Sequence, residues 1–258
     1  MAREIKRRLT PQVVLRSLAL NVAFYVSYPL VMIGGIFFLL LPRRAAVGAL
    51  RWWSRVFVAM CRVLGGIRLE VRGRRHIPHG AALVAGKHQS MWETFALFHL
   101  LDDAAIVLKR ELVWIPLVGW FIIKFRMITV DRKGGARALK ALIAAARTAL
   151  EEKRQILIFP EGHRMEPFAE PDYKPGAAAL YGALDVECVP LALNSGVLWP
   201  RRSFWRWPGT MVVEFLPPIA PGLPRRRFMK ELREAVEPAS NRLCEEALED
   251  LRRKGLAD

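Results

Sequence analysis

Between Ser17 and Leu41 the chain carries no charged residue for 25 consecutive positions. About 20 apolar residues cross a bilayer as a helix, so this run is long enough to span one. It constrains the fold more than any other feature, because so much apolar surface must be covered by lipid or by protein. Its flanks are basic on both sides: Arg3, Lys6, Arg7, Arg8 and Arg16 precede it, and Arg43, Arg44, Arg51 and Arg55 follow. Positive charge normally marks the cytoplasmic end of a span, so matched flanks give a single crossing no clear orientation. Pro29 and the pair Gly34-Gly35 interrupt the run and predict kinks. A shallow hairpin or in-plane helix returning to the same side satisfies both flanks; a full crossing satisfies the length. A cleaved signal peptide is not expected, since the run is long and ends in Leu40-Leu41-Pro42 without a small-x-small site. The remaining alternative is a helix buried against a soluble domain.

Charge narrows the partners. Forty Lys and Arg against 24 Asp and Glu leave a net charge of +16, on a chain that is 53% hydrophobic. Basic surfaces attract polyanions. A chain both basic and this apolar points to an anionic membrane surface rather than to nucleic acid. Cys61, Cys188 and Cys244 form neither metal-ligand spacing nor a disulfide framework, which fits a reducing compartment.

Ala45–Leu64 reads as a second helix, with Leu50, Trp53, Val56, Phe57, Met60 and Val63 at helical spacing and arginines largely elsewhere on the wheel, as in an interfacial helix. Past Gly65-Gly66, apolar runs alternate with helical patterns. Strands are expected at 67–71, 81–85, 105–108, 127–130, 156–159, 188–193 and 211–215. Helices are expected at 90–101, 116–125, 136–153 and 225–251. Such alternation predicts an α/β fold with a central, mostly parallel mixed sheet flanked by helices. Residues 1–65 then form a hydrophobic, membrane-anchoring helical segment, and residues 66–258 the α/β domain.

Two constellations carry chemistry. His88 follows the strand 81–85, and strand ends are where α/β proteins place reactive groups. Glu93, five residues on, is offset from it by roughly 140° on a regular helix. The histidine must therefore sit before the first turn, where its ring can fold back onto the carboxylate. Glu93 would then accept Nδ1–H and leave Nε2 free to take a proton from an alcohol. An ordinary loop histidine is the alternative. A helical metal site wants i, i+4 spacing, which His88 and Glu93 do not have, and a serine hydrolase wants G-x-S-x-G, which the sequence lacks. The second constellation, Phe159-Pro160-Glu161-Gly162-His163-Arg164, follows a fully apolar strand. Pro160 ends the ladder, Gly162 permits a turn, and an arginine fork suits a phosphate. A structural turn with a solvated arginine is the alternative here.

These residues resemble the motifs of the glycerolipid acyltransferases. Lys87-His88-Gln-Ser90-Met-Trp-Glu93 resembles N-H-x-S-x-x-D, and Phe159–Arg164 resembles F-P-E-G-T-R. Gly119-Trp120 with Ile128-Thr-Val130-Asp131-Arg132 is similar to the motif between them, and Val189-Pro190-Leu-Ala-Leu-Asn194 to the last. The resemblance covers about Lys87–Asn194, and the leader before Gly66 is similar to the family's membrane-docking helices. It implies transfer of a fatty acyl group from an acyl thioester to the sn-2 hydroxyl of 1-acylglycerol-3-phosphate, giving phosphatidate. His88 would be the base and Glu93 its orienting carboxylate. Arg132 and Arg164 would hold the phosphate and Glu161 the glycerol part, with Gly162, Ser90 and Lys109 completing the substrate-binding set. No metal or cofactor is implied; acyl-CoA or acyl-acyl carrier protein is the co-substrate. The setting implied is the inner membrane, with the site facing the cytoplasm. Glu93 stands where the family has Asp, and His163 where it has Thr. Another lyso-lipid acceptor, such as a lyso-ornithine lipid, is a second reading. A non-enzymatic basic module that binds membrane or nucleic acid is a third. Trp114–Phe125 is expected to roof an acyl channel or pack in the core. The loop holding Arg201, Arg202, Trp205, Arg206 and Trp207 is expected on headgroups or in solvent.

Overall fold

The computed structural model describes residues 5–258. Helix α1 (Pro11–Gly34) starts at Thr10, whose hydroxyl accepts the Val13 amide at 3.3 Å, and Pro11 occupies a first turn that needs no amide. The helix continues through Pro29. The break falls at the glycine pair instead. A β-carbon on Gly35 would lie 2.7 Å from the Val31 carbonyl and 2.9 Å from the Phe121 ring, so only glycine lets these segments approach. Beyond it come α2 (Ile36–Leu40) and α3 (Arg43–Val63).

The rest follows the expected alternation: β1 (Ile67–Arg72), β2 (Ala82–Gly86), α4 (Trp92–Ala96), β3 (Ala104–Lys109), α5 (Val118–Lys124), β4 (Ile128–Val130), α6 (Gly135–Glu151), β5 (Gln155–Ile158), α7 (Pro175–Leu184), β6 (Cys188–Leu193), α8 (Ser195–Leu198), β7 (Gly209–Phe215) and α9 (Arg225–Arg253). The strands form one seven-stranded sheet in the order β1-β7-β6-β2-β5-β3-β4, parallel except between β6 and β7. The expected α/β class with a mostly parallel mixed sheet is therefore the observed one. Helices α6, α7 and the first half of α9 cover one face around Leu142, Leu180 and Phe228. The other face holds Val13, Leu20 and Phe24 of α1 and Phe57 and Cys61 of α3, packed with Val84, Trp92 and Leu157. Residues 1–65 differ from the rest in composition, yet the inward side of their described part belongs to the same core as the sheet.

Only one side of α1 is so used. Leu15, Leu18, Val22, Tyr25, Val26, Leu30 and Ile33 are exposed along its outer side. Two polar groups fasten its inner side: Ser17 Oγ donates to the Arg206 carbonyl at 3.1 Å and accepts the Arg206 amide at 2.9 Å, and Asn21 Nδ2 donates to the Phe204 carbonyl at 2.8 Å. Helix α3 turns Trp53 and Phe57 inward, correcting the interfacial reading; of the two adjacent tryptophans only Trp52 faces out. In the 201–207 loop Arg202 and Phe204 stay exposed, while Arg206 and Trp207 turn inward. Trp207 is buried and donates its indole N–H to the Arg8 carbonyl at 3.0 Å, and buried Arg206 lies 4.4 Å from the Trp199 ring centre.

Candidate active site

Strands β2, β5, β3 and β4 are parallel neighbours, so the segments leaving them emerge along a single edge. His88 follows β2, the Phe159–Arg164 turn follows β5, Lys109 ends β3, and Arg132 follows β4. Topology alone brings the sequence-predicted residues to one rim.

The helix expected over 90–101 is shorter than its apolar pattern suggests. It is α only over α4 and becomes 3-10 over Leu97–His99. The carboxylate of Glu93 explains the late start. Its Oε1 accepts the amides of Gln89 and Ser90, each at 2.7 Å, and Nδ1–H of His88 at 2.9 Å. Three donors converging on one oxygen wrap residues 88–90 around the side chain instead of into a helical ladder. Oε2 accepts the Ser195 hydroxyl at 2.8 Å, and Glu93 is completely buried. The family's aspartate would be one methylene shorter; here the loop bends to meet the longer side chain. The His88 ring stacks on Phe159 with centroids 4.3 Å apart, fixing its plane from the β5 side, and the side chain is 14% exposed. With Nδ1 committed to Glu93, Nε2 is the nitrogen left to meet a substrate.

Sequence reasoning did not single out Ser195. Its hydroxyl reaches Glu93 from the amino end of α8, a contact that residue spacing does not encode. Ser195→Ala removes one hydrogen bond from a buried carboxylate, worth roughly 1.5–3 kcal/mol when made to a charged group. Part of that appears in the barrier: kcat is expected to fall about three- to tenfold with both KM values unchanged, as steady-state kinetics would show.

Lys87 was missed as well, although the family motif carries Asn at this place. The side chain is buried, and Nζ donates to Glu161 Oε1 at 2.7 Å and to Glu237 Oε1 and Oε2 of α9 at 3.0 and 2.9 Å. Tyr173 also donates to Glu237, at 2.8 Å. Burial raises the Glu161 carboxyl above its ordinary range, while the Lys87 ammonium pulls it back down.

This network changes two readings. A direct contact between Glu161 and an acceptor is not what the fold provides, since Glu161 is fully buried with one oxygen on Lys87 and the other 3.5 Å from the His88 amide. Ser90 is also fully buried, and its hydroxyl accepts the Trp92 amide at 3.1 Å, shaping the loop from inside. Two expected acceptor contacts thus support the base instead.

The cationic members remain open. Gly162 sits at φ +68°, a conformation natural to glycine, and a β-carbon there would lie 3.8 Å from the Arg132 guanidinium carbon. Arg132 therefore reaches back from β4 across the β5 turn. Arg132 and Arg164 are exposed and form no ion pair among the described residues; the Arg164 carbonyl accepts from Arg201 at 2.6 Å. Lys109 is half exposed and pairs with Glu111 at 3.1 Å, so its charge is partly spent locally. His163 is exposed, with Nδ1 2.9 Å from the Glu161 carbonyl.

An imidazole oriented by a buried carboxylate, on the same sheet edge as two guanidinium groups that form no ion pair among the described residues, can deprotonate the hydroxyl of a bound phosphorylated alcohol. Residues 68–194 match the Acyltransferase family. A protein from Pseudomonas aeruginosa is 35% identical over 185 residues, covering 72% of each chain. The chain belongs to the acyltransferase family. That Pseudomonas relative is named 1-acyl-sn-glycerol-3-phosphate acyltransferase, as is one from Limnanthes alba, 28% identical over 76% of this chain and 72% of its own. The crystal structure of the 1-acyl-sn-glycerophosphate (LPA) acyltransferase from Thermotoga maritima superposes with a TM-score of 0.73 over 88% of this chain and 97% of that one. At 20% identity it establishes a shared fold.

Proposed function

We propose that the protein transfers a fatty acyl group from an acyl thioester to the sn-2 hydroxyl of 1-acylglycerol-3-phosphate, forming phosphatidate at a membrane surface. The observation that carries this reading is the His88–Glu93 pair on the sheet edge from which the segments bearing Arg132 and Arg164 also emerge. Nε2 of His88 takes the hydroxyl proton as the oxygen attacks the thioester carbonyl. The tetrahedral intermediate collapses with loss of the C–S bond, and the imidazolium returns its proton to the departing sulfur. Glu93 stabilises the imidazolium between these steps without itself being protonated. Arg132 and Arg164 hold the acceptor phosphate as two forks, and Lys109 adds positive charge at the rim. Glu161 and Ser90 act through the loop that carries the base.

Two apolar surfaces support the membrane setting. The outer stripe of α1–α2 is one; within Pro11–Leu40 an 18-residue window reaches a mean hydropathy of 2.0. The other is the outward side of residues 114–123, where Trp114, Ile115, Trp120 and Ile123 are exposed while Phe121 and Ile122 are buried. Lys124 ties the two together, donating to the carbonyls of Leu39 at 2.8 Å and Leu41 at 2.5 Å. Contiguous apolar surface on this scale marks a lipid or protein contact. Helix α5 then lies where acyl chains would enter from the cytoplasmic leaflet of the inner membrane, with acyl-CoA or acyl-acyl carrier protein arriving from the cytoplasm.

The test supplies an acyl thioester with a panel of lyso-lipids and scores thiol release. Lysophosphatidate should be preferred over acceptors without phosphate, and Arg132→Ala should raise the acceptor KM at least tenfold with little change in the thioester KM. A variant that weakens the thioester instead would reassign this arginine to the donor.

A further inference from the structure

A second basic concavity lies away from the base. It is an open groove of about 610 Å³ between the carboxyl half of α3 and the edge strand β1, within the roughly 300–1,000 Å³ usual for small-molecule sites. Arg55 and Arg62 of α3, Arg68 of β1 and Arg74 just beyond it line the groove, all exposed. None of them forms an ion pair or a side-chain hydrogen bond among the described residues. Nearby arginines on other surfaces do find carboxylates: Arg72 pairs with Glu70 and Glu246, and Arg43 with Asp103. His99 lies in the groove wall and is held below the ordinary histidine range. Burial lowers its affinity for a proton first, and Arg55, Arg51 and Arg74 then add repulsion.

The floor is hydrocarbon, with Leu69, Val71, Ile77 and Leu100 each partly exposed. The chain turns back at Gly65-Gly66, so Arg62 and Arg68 lie toward that turn and Arg55 and Arg74 away from it. The groove is not the reacting site. Strand β1 is parallel to β7, and β7 is antiparallel to β6, which is parallel to β2. The carboxyl end of β1, before Arg74, therefore lies at the end of the sheet opposite His88, and the amino end, with Arg68, is set apart from His88 by β7 and β6.

Guanidinium forks pair bidentately with phosphates, and a strip of hydrocarbon between them suits an acyl chain. Trp52 and Val63, 61% and 73% exposed on the same α3, carry the apolar surface of the amino-terminal helices toward the groove. Those features favour a lipid over an acidic protein. We propose that the α3–β1 groove is a second, non-catalytic lipid site that holds an anionic phospholipid, its phosphate between the arginines and its hydrocarbon over Leu69 and Val71.

The test uses the full chain in detergent and monomeric short-chain probes: dihexanoyl phosphatidylglycerol, dihexanoyl phosphatidylcholine and inorganic phosphate, with binding read by microscale thermophoresis. Phosphatidylglycerol should bind at least tenfold more tightly than the other two. R55A/R62A/R68A/R74A should abolish that preference while leaving the rate of acyl transfer to a detergent-dispersed acceptor within twofold. R132A/R164A should keep the preference, as should a comparator stripped of four exposed cations elsewhere, K140A/R147A/R226A/K230A. If the quadruple variant does not fold, R55A/R74A and R62A/R68A carry the same test, each losing at least threefold. The proposal is overturned by a preference that survives in the groove variants, by an equal loss in the comparator, which would make it diffuse surface charge, or by inorganic phosphate binding as tightly as the lipid. Loss in R132A/R164A alone would place the lipid in the acceptor site and overturn it too. A failure on any of these counts leaves thiol release intact, so it is separable from a failure of the acyltransferase reading.

Discussion

Replacing His88 with alanine is expected to lower kcat for acyl transfer about 10³-fold while both KM values stay within threefold. A positioned general base contributes roughly 10²–10⁴-fold. Among the described residues, the charged groups flanking His88 in its loop are already engaged. Lys87 is enclosed by two carboxylates, and Glu93 is completely buried with both oxygens bonded. The nearest competitor is His163, exposed on the β5 turn with its Nδ1 on the Glu161 carbonyl. His163→Ala should therefore cost less than tenfold. Thiol release from an acyl thioester, with lysophosphatidate as acceptor, measures both variants. A larger loss in His163→Ala than in His88→Ala would move the base from residue 88 to residue 163; no loss in either variant would remove imidazole catalysis altogether.

Lys87→Met should produce the largest loss of stability. The substitution nearly preserves volume but leaves Glu161 and Glu237 facing one another around a missing cation. Breaking a buried pair by removing one partner typically costs about 3–5 kcal/mol. At roughly 2–4 °C per kcal/mol for a domain near this size, Tm should fall by about 10 °C. Removing a facing charge should restore much of it, so Lys87→Met/Glu161→Gln is expected to melt several degrees above the single variant. Burial already raises Glu161 in the wild type, so the folded protein holds that proton more tightly than the unfolded chain. Its contribution is thus fully present below the ordinary glutamate value and declines as pH rises through the raised one. Without the ammonium, the raised value moves further up. The single variant should accordingly lose stability relative to wild type as pH increases, most steeply above the ordinary carboxylate range, in scanning calorimetry. Matching melts for the single and double variants would show that the three charges are not coupled.

How much of this was legible beforehand depends on the range of each interaction. All seven strands and the long helices α6 and α9 follow from local apolar pattern, which the sheet's burial requirement enforces. The offset between His88 and Glu93 forces a non-helical start, and the fold has one, because both residues belong to a single loop. Helix α7 went unread: after Pro175 its Gly and Ala content gives little periodicity, and it is nearly all buried. Of the two interruptions expected in the leader, the helix breaks at the glycine pair, where Gly35 meets Phe121, 86 positions away. Glu161 and Ser90 were read as substrate contacts because a motif names residues without saying which way they face. Glu237 and Ser195, supplied by distant segments, complete the network around the base, and no spacing rule points to either.

The bonds from Ser17 and Asn21 to residues 204–206 carry a mechanical consequence. With no flexible tether at that seam, the hydrophobic leader and the reacting rim move together. In the proposed lipid setting, how deeply the first helix settles would determine how high the imidazole rides above the leaflet, and so which carbon of a half-immersed glycerol comes level with it.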